Sequence, residues 1–533
     1  MLFYNQYRRF LAGALCFALL VGGCGPGNTE RADSVLVTEN SQESLAEDSK
    51  VPVPEIPEPG GSLRMGLCMP ETLNPLKVSQ PEVAQLLMMI FMPLLETDAQ
   101  GQPSADGAVS GWEVSRDGYQ ALLTVRSDLL WHDGTRVTAE DAAYSLEALA
   151  FSETEHYWKS GLRDLISAQV EEQGKIRVTF ASPVDENRLG MLMVPILPKH
   201  IYDTEAPPEW TPVGCGPYQV KDYQPMREIV LSANSHFSGG SPYIPEIIVQ
   251  ITRTADAVQT AFEQGLTHLL YESVPTGMSA ENIYHHDVYQ TETYVLQLLY
   301  MNQREGRALA DVPVRQAVMY CVDAQELIDR TQVHQGTVSE SVVPLWLAED
   351  GLEEAYGVDY QKAYSMLGDH KMAELRLIVS REEQTARSQA RLIYEQLSEI
   401  GLKVKIVLMD EEQWKEALQE GDFDLAFGSC RIGSAQDLRN LLASDSEENY
   451  TGRKDEQLDE LLDQLSAASG SAQRSAVYQS VARYVWENLP VCPLYYSKQA
   501  VVVSRQLGGE LEPSPYHMYK GIEKLYFRTE GSY

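Results

Sequence analysis

Trp131, His132, Asp133 and Gly134 stand together in the stretch LLWHDGTRVTAEDAAYSLEAL, residues 129–149. A His beside an Asp is a pairing that can activate a nucleophile or share a metal ion. Asp-Gly between apolar runs is equally a strong signal for a tight turn, and no second His or carboxylate follows at metal-ligand spacing. Thr138 and Asp141 have the spacing of a capping box, in which hydroxyl and carboxylate satisfy backbone N–H groups at a helix start. Ala142, Leu146 and Leu149 then recur at helical spacing on one face. The stretch predicts strand, turn and helix, with His132 in the scaffold rather than acting as ligand or base.

The rest of the chain offers little more chemistry of that kind. Its ten His are dispersed, and only His285 and His286 adjoin; neighbours on a strand point to opposite faces, which makes a poor metal clamp. No metal site and no cofactor is expected. No G-x-S-x-G, H-E-x-x-H or Walker sequence occurs, and Gly214, Gly216 and Pro217 mark a turn, lacking the Lys-Ser/Thr ending of a phosphate loop. A secreted hydrolase is the weakest of the functions considered. Cys68, Cys215, Cys321, Cys430 and Cys492 show neither zinc spacing nor a disulfide framework and read mainly as small buried hydrophobes, with one disulfide left open.

The elements that must position any site follow from pattern. At 533 residues the chain exceeds a single core and predicts two or three domains. With 42 basic against 77 acidic residues the net charge is −35, which opposes binding to nucleic acid or anionic lipid. Arg8 and Arg9 precede the apolar run FLAGALCFALLVGG, which is short for a membrane span. Gly22 and Gly23 before Cys24 resemble a lipobox, predicting removal of residues 1–23 and acylation of Cys24; the alternative is an ordinary secretory signal with an incidental Cys. Residues 24–60, acidic and rich in Ser and Pro, read as a disordered tether.

Beyond the tether, GSLRMGLC reads as a strand running into a loop, and PEVAQLLMMIFMPLLETD as a helix whose Met cluster fills a core. Residues 311–330, with Asp311 as cap and Pro313 in the first turn, predict one helix. Residues 375–428 predict a βαβαβ segment, with Gly401 and Gly421 closing its helices and Asp410 capping the second, and hence a largely parallel sheet.

ETLNPL, then SADGAVSGWEVSRDGYQALLTVRSDLLWHDGTRVTAEDAAYSLE, ILPKHI, GCGPYQV, NSHFSGGSPYIPEI, DVPVRQAV, IYEQLSEIGLKVKI, GDFDL and LPVCPLYY occur in that order. The series, over nearly all of residues 60–533, resembles the family 5 extracellular solute-binding proteins, the oligopeptide, dipeptide and nickel receptors of ABC importers. The resemblance implies a periplasmic-binding-protein-like α/β fold: two α/β lobes joined by a hinge, plus an extra third domain, with the solute enclosed between the lobes. It divides the chain into lobe I (61–80 with 185–295 and 490–533), an extra α/β domain (81–184) and lobe II (296–489). It also implies a monomeric receptor, lipid-anchored on the extracellular face of the cytoplasmic membrane, or in the periplasmic space of a Gram-negative cell, that hands oligopeptides to permease subunits. Nickel chelate, oligosaccharide and signalling peptide are the alternative solutes.

By position in the family pattern, candidate ligand contacts are Met69, Glu71, Thr72 and Leu73, Tyr271 with Glu272, Trp346, and the segment Ser429, Cys430, Arg431, Ile432 and Asp437. That last segment departs from the pattern, in which peptide-binding members follow the Gly with a Trp region and an Asp that pairs with the peptide ammonium. Here Ser429 and Cys430 replace the Trp region, Arg431 adds positive charge, and Asp437 is the nearby acid. Arg431 either binds a carboxylate or phosphate bidentately or sits at the surface paired with Asp437 or Asp424.

Overall fold

Alternation builds the first strand: in Ser62–Cys68 the side chains of Leu63, Met65 and Leu67 turn into the core while their neighbours face outward. The computed structural model describes residues 57–98, 102–184, 187–272, 286–331, 336–344, 356–368, 374–468 and 471–529. Cys24, the signal segment, nearly all of the tether, His285 and Trp346 lie outside the described residues.

One mixed sheet of eleven strands runs through this part of the chain. Its order is Val404–Met409, Leu375–Ser380, Leu425–Arg431, His286–Met301, Val491–Ser504, Leu269–Glu272, Ser62–Cys68, Glu246–Thr252, Glu228–Ala233 and Tyr218–Gln224, with Gly336–Val338 beside Val491–Ser504. The βαβαβ segment is present, its three strands parallel. Ser62–Cys68 is parallel to both its neighbours as well. The expectation of a largely parallel sheet is corrected in the middle and at one edge, where the pairings are antiparallel. In the middle, the two longest strands, His286–Met301 and Val491–Ser504, run against each other and against the strands they join to; at the edge, Tyr218–Gln224 and Glu228–Ala233 form a hairpin whose second strand pairs with Glu246–Thr252.

Those two strands connect two lobes. Asp287 to Gln290 lie opposite Ala500 to Val503, whereas Leu298 to Tyr300 lie opposite Val491 to Pro493 and also pair with Leu425–Arg431. Between Glu292 and Leu296 the register shifts, four steps on one strand facing two on the other. Beyond the bulge, Leu296, Leu298 and Tyr300 enter one hydrophobic core and Leu299 and Met301 another, on the opposite face. The first lobe has one large core, continuous with that of an antiparallel sheet formed by Val109–Val114, Gln120–Val125, Lys175–Phe180 and Leu165–Glu171, and a small separate one of Val258, Phe262, Leu270 and Val502. Met88, Met89 and Met92 are buried in the large core, as the helix Pro81–Ile90 predicts.

The single helix expected over 311–330 is two, Val312–Cys321 and Ala324–Thr331. Asp323 breaks the run by accepting the Glu326 N–H through Oδ1 at 2.9 Å, a local cap that outcompetes continuation of the helix.

Candidate functional site

In the motif that looks most like chemistry, His132, Asp133 and Gly134 are taken up by structural hydrogen bonds. Asp133 Oδ1 accepts from the Thr135 N–H at 2.9 Å, Gly134 takes a φ of 86°, and the Gly134 N–H returns to Trp131 O. Thr138 and Asp141 form the reciprocal capping box of the helix Ala139–Ala150. His132 bonds three times to one loop: its N–H to Gly214 O at 2.8 Å, Nδ1 to the Gly214 N–H at 3.2 Å, and Nε2 to Gly216 O at 3.2 Å. Nδ1 thus accepts and Nε2 donates, which fixes the neutral tautomer. Burial lowers its pKa to about 4. The glycines are needed on the loop's other contact, with the end of the helix Pro81–Ile90: a Cβ on Gly214 would lie 2.1 Å from Ile90 O and one on Gly216 2.7 Å from Met89 O.

The altered segment behaves differently. Leu425–Arg431 pairs along its whole length with His286–Met301, but Leu375–Ser380 reaches only Leu425 and Ala426 on its other side. Among the described residues, no strand pairs with that other side beyond Ala426. Ser429, Cys430 and Arg431 there line a cavity of about 350 Å³ with Tyr300, Asn440, Leu441, Glu448, Tyr450, Asp437 and Arg163. A Cβ on Gly428 would press on the rings of Trp414 and Tyr300, at 3.0 and 3.1 Å. Burial pushes the Cys430 thiol pKa upward, so it meets the cavity as a neutral group.

A second, smaller cavity of about 60 Å³ adjoins the first, since Arg163, Arg431 and Asp437 line both. Its walls come from across the fold: Arg163, Asp164, Arg188 and Met191 beside the antiparallel sheet, Tyr294 at the bulge, Gly433 to Asp437 in the second lobe, and Tyr516 near the C-terminus. The Arg431 guanidinium carbon sits 5.1 Å from the Tyr294 ring centre and 5.2 Å from that of Tyr516. Tyr516 is held from both sides, Gln499 Nε2 donating to Pro515 O at 2.6 Å and His517 Nδ1 lying 2.8 Å from Glu96 Oε2.

Pairing of Arg431 with either acid is not what the structure shows. Asp437 Oδ2 accepts from the Gly433 N–H and Ser434 Oγ, both at 2.9 Å, at the start of the helix Ala435–Leu442. Asp424 lies 3.2 Å from Arg307 and accepts the Arg376 N–H. Ile432 is fully buried in the second lobe.

The remaining candidates lie in the first lobe. Met69 is exposed; the Glu71 N–H and Met69 O are both bonded by Gln80. Thr72 Oγ1 donates to Glu209 Oε2 at 2.6 Å, and Leu73 is fully buried in the core. Tyr271 and Glu272 line a third cavity of about 120 Å³ with Cys68, Glu82 and Tyr519, and the Tyr271 hydroxyl donates to Gln499 at 2.9 Å. The structure thus gathers Ser429, Cys430, Arg431 and Asp437 at one place and Tyr271 with Glu272 at another. Arg163, Tyr294 and Tyr516 went unmarked in the sequence; no local pattern distinguishes them, because only the bulge and the packing of three distant segments bring them together.

All five cysteines in the described residues are free, and burial pushes the thiols of Cys215, Cys321 and Cys492 up to about 12. Among these residues no group of three His, Cys, Asp or Glu could hold a metal ion, and no helix is long and apolar enough to cross a membrane.

Two α/β lobes joined by a pair of long strands, with cavities lined from both, define a periplasmic-binding-protein-like fold. The sequence model of the bacterial extracellular solute-binding proteins, family 5, matches residues 102–452, and the chain belongs to that family. Its relatives include the oligopeptide-binding protein AppA of Bacillus subtilis, 21% identical over 85% of this chain and 89% of AppA. The nickel-binding periplasmic protein of Escherichia coli is 23% identical over 79% of this chain and 86% of its own length. Among solved structures, the ABC transporter substrate-binding protein CtaP of Listeria monocytogenes superposes with a TM-score of 0.74 at 19% identity, covering 88% of this chain and all of CtaP. The chain is a substrate-binding protein of ABC importers, a class whose members are periplasmic or extracellular.

Proposed function

We propose that this receptor captures short peptides between its lobes and delivers them to a membrane permease, acting as a monomer held at the outer face of the membrane by acyl chains on Cys24. The observation that carries the peptide reading is the open side of Phe427–Arg431 where it borders the cavity. Backbone N–H and C=O groups on an unpaired strand edge recognise an extended main chain whatever its side chains, and the space around Tyr300, Asn440 and Glu448 receives those side chains. AppA, named for oligopeptide binding, supports the same class. The two lobes, with limits at 61–80, 185–295 and 490–533 for the first and 296–489 for the second, close about the strands His286–Met301 and Val491–Ser504.

A carboxylate-bearing metal chelate is the second reading. It is favoured by Arg431, which offers donors to chelate carboxylates without any protein-metal bond, and by the nickel-binding relative.

Native mass spectrometry of the gently purified full-length protein, followed by denaturation, tests the assignment. A ladder of short peptides is expected among the released species. A single chelate or sugar mass overturns the peptide reading and leaves the receptor class in place.

A further inference from the structure

Among the described residues, neither Arg163 nor Arg431 has a carboxylate at ion-pair distance, although both line the two adjoining cavities. The acids beside them are already engaged. Asp164 is bound by Arg188 and by Ser182 Oγ at 2.8 Å, and Asp437 by Gly433 and Ser434. Glu448 lines only the larger cavity and is exposed. In a chain of net charge −35 the smaller cavity reverses the balance, setting Arg163, Arg188 and Arg431 against Asp164 and Asp437. That leaves one positive charge uncompensated, the complement of a single monoanion.

The surroundings of Arg431 prepare it for such a partner. Tyr294 and Tyr516 attract the guanidinium through their rings, an interaction that consumes none of its five N–H donors. Arg163 comes from the short helix Lys159–Leu162 and its C-terminal flank beside the antiparallel sheet, Arg431 from the second lobe, and Tyr516 from the first. An anion gripped by both arginines is therefore held by groups from both sides of the cleft.

We infer that Arg163 and Arg431 form a carboxylate clamp at the junction of the two cavities, so that this receptor selects solutes carrying a carboxylate there and discriminates against their neutral analogues. The inference rests on these cavities being the solute site, as proposed above, but does not require the solute to be a peptide. For a peptide, the carboxylate is the C-terminal one or an acidic side chain.

The test is calorimetric titration of the full-length protein with matched pairs: tetraalanine and its C-terminal amide, galacturonate and galactose, citrate and triethyl citrate, with inorganic phosphate alongside. In at least one pair the acid should bind at least tenfold more tightly than its neutral partner. Arg431→Met, which keeps the aliphatic stem between the two tyrosines, should abolish that preference, and Arg163→Gln should reduce it. Both variants should retain the parent's unfolding midpoint and circular dichroism, which separates loss of the clamp from loss of fold. The inference is overturned if neutral partners bind as well as acids, if no carboxylate binds, if phosphate binds more tightly than every carboxylate, or if the preference survives both substitutions. Binding of citrate or galacturonate without tetraalanine would overturn the peptide reading and uphold the clamp. Equal binding of tetraalanine and its amide, with no acid preferred in another pair, would do the reverse.

Discussion

His132 and Arg431 are both ionisable residues in conspicuous stretches of sequence, and they end in opposite situations. His132 sits in the motif most suggestive of chemistry, yet both its ring nitrogens are occupied by the backbone of Gly214 and Gly216. Arg431 sits where the family pattern breaks down, and its guanidinium meets two aromatic rings and no carboxylate. The difference teaches that a motif's residue types do not say whether its hydrogen-bonding groups are left for a solute: those of His132 are taken up by the backbone, whereas those of Arg431 face a cavity.

Four outcomes break or sharpen that contrast. The largest is expected from Gly214→Ala, because the new Cβ would meet Ile90 O at 2.1 Å and force the His132 loop apart. A loss of about 4 kcal/mol or more in unfolding free energy, read from the denaturant midpoint, fits an overpacked and broken contact of this kind.

Next is the pH dependence of His132. Its folded pKa of about 4 lies below the ordinary 6.5, so the unfolded chain binds the proton first as pH falls. Stability from this group is complete above pH 6.5 and is lost as pH falls toward 4. With about 1.4 kcal/mol per tenfold change in proton affinity, the loss reaches up to about 3 kcal/mol. His132→Gln should flatten that part of the stability profile while leaving solute affinity at neutral pH unchanged; a fall in affinity would place His132 in the site after all.

A smaller effect, about 1 kcal/mol of stability, is expected from Asp437→Asn, which weakens the start of the helix Ala435–Leu442. Its thermal midpoint should drop modestly with the acid preference intact; loss of that preference would show Asp437 acting on the solute. The smallest change in stability belongs to Arg431→Met, within about 1 kcal/mol, the scale of an exposed cation–π contact. A large loss of stability there would make Arg431 scaffold and erase the contrast with His132.

Much of the fold is legible in sequence because its determinants are local. The capping box at Thr138 and Asp141, the glycines closing the helices at 401 and 421, and the strand alternation from Ser62 are each written within a few residues. The break at Asp323 escapes the helical periodicity that predicts one helix over 311–330, although DAQE carries a cap signal within that run. Sheet direction was not legible, because it is fixed by which distant strands the two long ones meet. The site divides along the same line. Ser429, Cys430, Arg431 and Asp437 lie within one short segment and could be marked together. Arg163, Tyr294 and Tyr516 reach that segment only through tertiary packing. Leu73, in a loop marked by family position, is turned into the core, because position in a pattern does not fix where a side chain points.

The register shift between Glu292 and Leu296 sets Tyr294 outside the regular ladder, and Tyr294 O accepts the Ile432 N–H at 2.7 Å while its ring faces Arg431. Tyr294 thus lies at the joint between the lobes and on one wall of the cavity. If that cavity holds the solute, as proposed, solute preference and the opening of the joint are coupled through this one side chain. A substitution at Tyr294 that retunes what the receptor accepts also alters how readily it opens, and lengthening or shortening this segment by one residue would turn every side chain beyond it to the opposite face of the sheet.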